Sequence, residues 1–496
     1  MDRVGGESKF KIILVSCVCF ILFTALTFFG VQFFTKTGIF RIPGVVIYDE
    51  SLSDAEVELL RSVFTEDVEL DKNVTISATN YLELPELGEN EFISTIAVPV
   101  ADFYSDETDV VAENADALFN NCLDCYYKVI DIDELDFKSK LLSINGHYYL
   151  DEFDKGAIYR IIKFESEKYA EEIQALASEL YSGKTWPGKD TVLSFAQTGV
   201  TALSRRMNGK LAEVGDATYF TAQIGDYLSS FDLTHTSNES SFSEYATSKN
   251  ICSNPKFGDT LLAIGLDIVE LTGNHNQDCG DIDAASTIDF YTEHNIKVVG
   301  GGKTASDAAT PLEINAEGSH ITMLAYNEST GGATLDNTPG ANQYYEDVAT
   351  AQISEAKKRG NFVIVDIQYY ECNAYASEYE DPACDRADSS AGDQIGFFRH
   401  LIDLGADMVV GTSAHQPQTY ELYGNGVIYY GLGNLFFDQI WWPGTTRSLI
   451  LANYFYNGKL LQTKVVPTVY DEAMQTKLLD EEKSRWLLNR LKSARP

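Results

Sequence analysis

A regular alternation of strand-like and helix-like segments, beginning near residue 190, constrains the fold of this chain more than any other feature. Short runs of β-branched and other apolar residues alternate with longer segments that have helical periodicity, and this pattern is typical of a layered α/β domain. We expect strands at residues 191–197, 232–235, 268–272, 297–299, 320–325, 362–368, 408–411 and 427–430. Helices are expected at 257–264, 281–294, 345–359 and 394–404. A hairpin turning at Asn457-Gly458 should follow, because Asn-Gly is a strong two-residue turn signal.

The remaining chain divides into three parts. Residues 41–188 alternate apolar runs with acidic helical stretches and predict a smaller α/β domain of unknown role, with strands at 45–48 and 93–103 and helices at 53–63 and 165–181. Pro187-Gly188 marks the boundary to the larger domain at 189–470, and residues 471–496 predict a C-terminal helix. Residues 1–40 form a tail and a membrane anchor.

The anchor is predicted from an uncharged run over residues 12–35, which is long enough as a helix to cross a bilayer. Arg3, Lys9 and Lys11 precede this run, which favours a cytoplasmic N-terminus and a single-pass protein of the cell membrane with its main domains extracytoplasmic. A cleaved signal peptide is the alternative interpretation, although no small-residue cleavage site follows the run.

Charge and cysteine content narrow the function further. The chain has 37 Lys and Arg against 74 Asp and Glu, a net charge of −37, which argues against nucleic acid as a partner. Six cysteines lie beyond the anchor, an even number that in an oxidising compartment predicts up to three disulfides. Proximity favours the pairs Cys122 with Cys125, Cys252 with Cys279, and Cys372 with Cys384, but the connectivity stays open.

Polar residues concentrate where the predicted strands of the larger domain end. They lie at 198–200, 237–239, 273–275, 368–371, 411–415 and 431–434. Because ligands of open α/β sheets bind at the carboxyl ends of the strands, we expect these segments to meet around one pocket.

Two stretches carry a family resemblance. One runs from Asp267 through Gly273-Asn274-His275 to Gly280, and the other from Leu404 through His415 to Phe436. Residues 190–470 resemble the CapA (PgsA) capsule-synthesis family, which belongs to the calcineurin-like metallophosphoesterase superfamily and serves poly-γ-glutamate capsule assembly. The resemblance implies a layered metallophosphoesterase-like α/β sandwich for this domain.

The metal-binding positions of that superfamily are only partly retained. Glu239, Asn274, His275 and His415 match family ligands, whereas Val200, Gln368 and either Thr412 or Ser413 stand where the family has others. The resemblance therefore implies at most one divalent metal ion, held by the four retained residues, and otherwise no cofactor. It leaves open whether the domain is a hydrolase or transferase with replaced ligands or has lost catalysis.

His275 and His415, with Glu239 as carboxylate partner, are the predicted catalytic residues, since imidazoles can transfer protons or bind a metal. Amide, carboxyl and guanidinium groups that could bind a polymer belong to Asn238, Asn274, Asp278, Gln368, Gln418, Asn434 and Arg205. Arg205 and Arg206 could form a local cationic groove. Each histidine could instead simply hold loops together by hydrogen bonds.

The expected function is therefore the biosynthesis, transfer or release of an anionic capsule polymer, poly-γ-glutamate by resemblance. The expected partners are the membrane, the polymer and other capsule-synthesis membrane proteins. A non-catalytic polymer-binding or scaffold module is the alternative.

Overall fold

The computed structural model describes residues 11–14, 16–17, 45–65, 73–119, 126–165, 180–181, 185–328, 332–334, 336–369 and 393–496. The chain divides into two compact units. The first comprises Met1–Leu135 and Lys140–Lys189, and the second comprises Asp136–Ser139 and Asp190–Pro496.

The first unit is built on a mostly antiparallel sheet. Its strands, in spatial order, are Lys11–Leu14, Val45–Tyr48, Asn73–Glu83, Lys155–Glu165, Glu91–Asp102 and Lys128–Asp131, and Ser139–Leu141 also pairs with Glu91–Asp102. The helix Asp54–Val63 begins with a capping box, because the Ser53 N–H donates to Glu56 at 2.8 Å and the Glu56 N–H donates to the Ser53 hydroxyl at 3.3 Å.

The predicted strand at 45–48 and helix at 53–63 are confirmed in this unit, and the strand expected at 93–103 is Glu91–Asp102. Two long strands were not predicted, Asn73–Glu83 and Lys155–Glu165. The helix predicted at 165–181 lies outside the described residues, except for Glu165, which ends a strand, and the helical pair 180–181.

The second unit contains two large sheets. Sheet I has the order Lys297–Val299, Ile268–Glu270, Leu233–Asn238, Val192–Ala202, Arg447–Tyr456, Lys459–Tyr470 and Thr476–Leu478, with Asn434–Phe437 also paired to Val192–Ala202. Sheet II has the order Leu312–Ala316, Ser319–Asn327, Phe362–Gln368, Met408–Gly411, Gly426–Tyr429 and Tyr420–Tyr423. In both sheets the central strands are parallel, so their carboxyl ends lie at one edge.

Helices cover one face of each sheet. Sheet I packs against Arg206–Val214, Gly258–Ala263 and Asp281–Glu293 through a core that includes Met207, Leu261 and Tyr291. Sheet II packs against Glu346–Lys358 and Gln394–Asp403 through Ile353, Phe398 and Leu401. The sheets contact each other through their other faces, where Gln197 of sheet I donates to Asp366 of sheet II at 2.6 Å. The layers are therefore helix, sheet, sheet, helix, which confirms the layered α/β domain that the alternating pattern predicts.

Shorter elements complete the described chain. They are the strands Ser16–Cys17, Phe64–Thr65, Asp109–Val110, Ser143–Ile144, Gly301–Gly302 and Gly340–Ala341, the helices Ala115–Phe119, Tyr149–Glu152, Gly225–Leu228 and Ala305–Ala308, and 3-10 turns at Ile132–Glu134, Ala217–Thr221, Pro255–Phe257 and Pro443–Thr446.

The C-terminal helix is shorter than predicted. The chain first adds the strand Thr476–Leu478 to sheet I, and the helix then runs over Glu481–Ser493. Asp480 sets its start, because the Asp480 carboxylate accepts from the Lys483 N–H at 2.9 Å.

Within the described part of the chain, no helix is both long and apolar enough to cross a bilayer. In the segment predicted as the anchor, the structure describes only residues of the strands Lys11–Leu14 and Ser16–Cys17, and residues 18–35 lie outside the described residues.

Candidate functional site

Glu239 and the Gly273-Asn274-His275 turn meet at the carboxyl edge of sheet I. Glu239 follows the strand Leu233–Asn238, and its N–H donates to the Thr201 carbonyl at 2.9 Å. A Cβ atom on Gly273 would lie 2.7 Å from Cγ of Glu239, so only glycine permits this approach. The close contact sets Asn274, the next residue, beside the buried Glu239.

Asn274 also links the two sheets at their strand ends. The Gln368 Nε2, at the end of a sheet II strand, donates to the Asn274 Oδ1 at 3.4 Å. The Gln368 Oε1 and the hydroxyls of Thr412 and Ser413 are buried and find no hydrogen-bond partner within the described residues. Buried polar atoms in proteins normally have a partner, so this edge has the chemistry to bond a ligand or water.

His415 and Asn434 form a second, buried pair. The His415 Nδ1 lies 2.8 Å from the Asn434 Oδ1, and the Asn434 Nδ2 donates to the Gln439 Oε1 at 3.1 Å and the Thr445 carbonyl at 3.0 Å. These two donations fix the amide orientation, so the neutral His415 carries its proton on Nδ1. Asn434 pairs with Val200 across the sheet, which brings the pair to the same strand ends as Glu239.

His275 is the more accessible imidazole. Its Nδ1 lies 2.8 Å from the Asp278 Oδ2, and the two side chains are 28% and 41% exposed. The Asp278 carboxylate therefore orients the ring from within the same turn.

Three predicted binding residues instead form hydrogen bonds or ion pairs with other side chains or the backbone of the protein. Asn238 is buried and donates to the Ser240 carbonyl at 2.9 Å and the Tyr291 hydroxyl at 2.8 Å. Gln418 is buried and accepts from Gln394 at 3.0 Å.

Arg205 is the third of these residues. Its guanidinium forms an ion pair with Asp438 at 2.5 Å and lies 4.5 Å from the Phe437 ring centroid. The neighbouring Arg206 guanidinium stacks over Trp441 at 5.3 Å.

The residues present do not fit the complete metal centre of the metallophosphoesterase superfamily. Val200 is buried in an apolar cluster with Ala202 and Phe437, and Ser413 and Gln368 offer a hydroxyl and an amide. Among the residues described, no group of three or more His, Cys, Asp or Glu side chains is arranged to hold a metal ion. Neutral hydroxyl and amide oxygens are poor substitutes for imidazole and carboxylate as transition-metal ligands.

A disulfide closes the loop region beside the His275 turn. Cys252 and Cys279 are bonded, with an S–S distance of 2.11 Å and a Cα–Cα distance of 5.8 Å. Cys122, Cys125, Cys372 and Cys384 lie outside the described residues.

The sequence interpretation missed a buried ionisable cluster between the sheets. The His235 Nε2 lies 3.2 Å from the Asp366 Oδ2, and Gln197 donates to the other Asp366 oxygen at 2.6 Å. The side chains of His235 and Asp366 are fully buried. Glu270 accepts from the Thr272 N–H two residues before the Gly273 turn. The available signal was Asp366 itself, a carboxylate inside the otherwise apolar run Phe362–Ile367.

Burial governs the protonation of this cluster. Desolvation, reinforced by the nearby Asp366 carboxylate, raises the pKa of Glu270 to about 7, against smaller lowering effects from Ser237, Thr272 and His235. Burial also raises the pKa of Asp366, while His235 and Gln197 act in the opposite direction.

Comparison with known proteins identifies relatives of the second unit. Residues 194–439 match the family described as "Bacterial capsule synthesis protein PGA_cap". The chain is 28% identical over 207 residues to "Capsule biosynthesis protein CapA" of Bacillus anthracis, covering 41% of this chain and 47% of that protein. It is 29% identical over 194 residues to "PGA biosynthesis protein CapA" of Bacillus subtilis (strain 168), covering 38% and 48% respectively. The matched part thus spans about half the length of these two relatives.

A "Probable polyglutamine synthesis accessory protein" of Mycobacterium tuberculosis is 25% identical over 269 residues, covering 50% of this chain and 67% of that protein. Among solved structures, TT1561 of Thermus thermophilus matches 54% of this chain and 100% of its own at 9% identity, with a TM-score of 0.29. Through residues 194–439, the chain belongs to the bacterial capsule synthesis protein family PGA_cap.

Proposed function

We propose that this protein binds an anionic capsule polymer, poly-γ-glutamate, as an accessory protein of its biosynthesis, transfer or release. The observation that carries the proposal is the set of buried, unsatisfied polar atoms of Gln368, Thr412 and Ser413 at the strand ends. The names of the relatives, which refer to capsule biosynthesis, PGA biosynthesis and polyglutamine synthesis, support the same function. The metallophosphoesterase-like sandwich would then serve as a binding scaffold.

The chemistry of the strand ends suits a polymer of amide and carboxylate groups. The Gln368 Oε1 can accept an amide N–H, and the Thr412 and Ser413 hydroxyls can donate to a carboxylate. Asn274 and His275 are half-buried and border these groups from the next turn. Hydrogen bonds to charged acceptors are stronger than neutral ones, so the carboxylates would contribute most of the affinity.

We further propose that the uncharged run within residues 12–35 anchors the protein in the cell membrane, with both units extracytoplasmic. The part of the run that pairs with other strands, residues 12–14 and Ser16–Cys17, would lie outside the bilayer. The uncharged run supports an anchor. The Cys252–Cys279 disulfide supports an oxidising compartment, where such bonds persist. Other capsule-synthesis membrane proteins would be its partners.

A second candidate function is a hydrolase or transferase that uses His275 as general base. The 2.8 Å contact between His275 and Asp278 favours it, because a carboxylate-oriented, accessible imidazole is suited to proton transfer. His415 and Glu239 would act with it from the buried side of the same edge.

Binding of defined poly-γ-glutamate to the purified full chain tests the first proposal. We expect Asn274→Ala/His275→Ala to weaken binding about tenfold, since two hydrogen bonds of about 1 kcal/mol each are lost in part. His320→Ala, which replaces an exposed histidine of sheet II, is the matched control and should bind normally. Equal polymer affinity of wild type and the double variant would show that the strand ends are not the binding site.

Metal content by elemental analysis and polymer length after incubation, measured on the same samples, distinguish the binding module from the enzyme. Binding without polymer shortening or stoichiometric metal supports the binding module. Shortening that disappears in His275→Ala supports the enzyme.

A further inference from the structure

Apart from the strand-end site, the described part of the chain has a surface groove at the C-terminal helix. Its volume is about 190 Å³, and Arg447, Leu479, Lys483 and Trp486 line it. The Trp486 side chain is 45% exposed, although a large aromatic side chain gains most free energy by burial.

Cationic groups surround this exposed ring. The Arg447 guanidinium lies 4.6 Å from the Trp486 ring centroid, and the Arg490 guanidinium lies 5.5 Å from it. Cation–π contacts at these distances hold both guanidinium groups near the groove. Lys483 adds a third cation, although its Nζ also pairs with Asp480 at 2.6 Å.

The basic residues of the helix Glu481–Ser493 lie on two opposite sides. Lys483, Trp486 and Arg490 have the spacing i, i+3 and i+7, so they share one face. Arg485 and Lys492 project from the opposite side, and Arg485 pairs with Glu481 at 2.8 Å.

This local charge contrasts with the rest of the molecule. The chain carries a net charge of −37, yet residues 483–496 contain five basic residues and no acidic one. The acidic residues Asp480, Glu481 and Glu482 directly precede this stretch, so the cationic surface is local. A local cationic surface on an acidic protein indicates an anionic ligand, since charge complementarity sets specificity.

Two hydrogen bonds connect the chain segments of the groove with those near the His415–Asn434 pair. The Asn434 Nδ2 donates to the Thr445 carbonyl at 3.0 Å, two residues before Arg447. The Thr419 hydroxyl donates to the Leu491 carbonyl of the C-terminal helix at 2.6 Å. The His415–Asn434 pair and the groove thus share the segments that support them.

We propose that Arg447, Lys483, Trp486 and Arg490 form a second subsite that binds carboxylates of the same anionic polymer. This inference rests on the proposed function and extends it beyond the strand ends. Guanidinium groups bind carboxylates bidentately, and the indole face can pack on the methylene groups between them. Each glutamate residue of the polymer offers both groups.

The acidity of the molecule favours one polymer strand over an anionic membrane surface as the ligand. A membrane is planar, so much of a surface with net charge −37 would face it and be repelled. A single strand can contact the groove while staying away from the other acidic surfaces.

The test measures poly-γ-glutamate affinity of the full chain at constant ionic strength. We expect Arg447→Gln/Arg490→Gln to weaken binding at least about tenfold and Trp486→Ala to weaken it severalfold. The control variant Arg485→Gln/Lys492→Gln removes the same charge from the opposite side of the helix and should stay within about twofold of wild type. Thermal unfolding of every variant verifies that the fold is retained.

Three other outcomes would overturn the inference in different ways. Equal losses in the groove and control variants would mean that only net charge matters, and the proposed function would survive. No binding by wild type would reject the proposed function together with the groove assignment. Groove-dependent binding to vesicles containing anionic lipid, without polymer binding, would assign the groove to a membrane surface.

Discussion

At the scale of single residues, the strand ends combine replaced and retained family positions. Val200 lies in an apolar cluster, whereas the retained Glu239 packs closely against Gly273, the residue before Asn274. The identities of these residues could be read from the sequence. Their partners could not, because Asn434 and Asp366 are far along the chain from the histidines that they contact.

Glu270 makes stability depend on pH. Its pKa is raised from 4.5 to about 7, so the folded protein keeps a proton that the unfolded chain releases above about pH 4.5. The stability associated with this proton is fully present below that pH and is lost as the pH rises to about 7. The difference corresponds to about 3 kcal/mol of unfolding free energy.

We expect Glu270→Gln to flatten this decline, because the amide does not ionise. Urea unfolding at several pH values between about 4.5 and 8 measures how the free energy of unfolding depends on pH. Glu293→Gln, at the exposed end of the helix Asp281–Glu293, is the control and should follow wild type. A wild-type stability that is constant or rises over this range would contradict the prediction.

At the scale of secondary-structure elements, the buried strands were the most predictable. Phe362–Gln368 and Met408–Gly411 have the predicted bounds, because strands covered on both faces are nearly continuous apolar runs. Asn73–Glu83 was missed although Val74, Ile76 and Ala78 alternate with polar residues, the pattern of a half-buried strand. Asn434–Phe437 was missed because its first residue resembled a turn.

The Cys252–Cys279 disulfide constrains two elements of the site, the loop after Glu239 and the turn that holds His275. We expect Cys252→Ser/Cys279→Ser to lower the free energy of unfolding by about 2–4 kcal/mol, since the open chain regains entropy when unfolded. Chemical denaturation measures the loss. Wild type in a reductant that opens this bond should behave as the variant does, and a stability unchanged by either treatment would contradict the prediction.

At the scale of the whole molecule, net charge should act on the rate of polymer binding. A charge of −37 repels a polyanion over the Debye length, which is about 30 Å at 0.01 M salt and about 8 Å at 0.15 M. We therefore expect the association rate constant to rise with salt across this range, as stopped-flow fluorescence can measure. Polylysine is the control and should associate more slowly as salt increases. A polyglutamate rate that falls with salt would mean that the local cationic field dominates.

The sequence alone determined the larger α/β layers, the acidity and the family resemblance, because apolar periodicity, charge and motifs are local properties of the chain. Only the tertiary structure decided that His415 contacts Asn434, that Asp366 and His235 form a buried pair, and that Arg447 lies over the Trp486 ring. These contacts depend on strand order, register and helix packing, which bring together residues that the sequence leaves far apart.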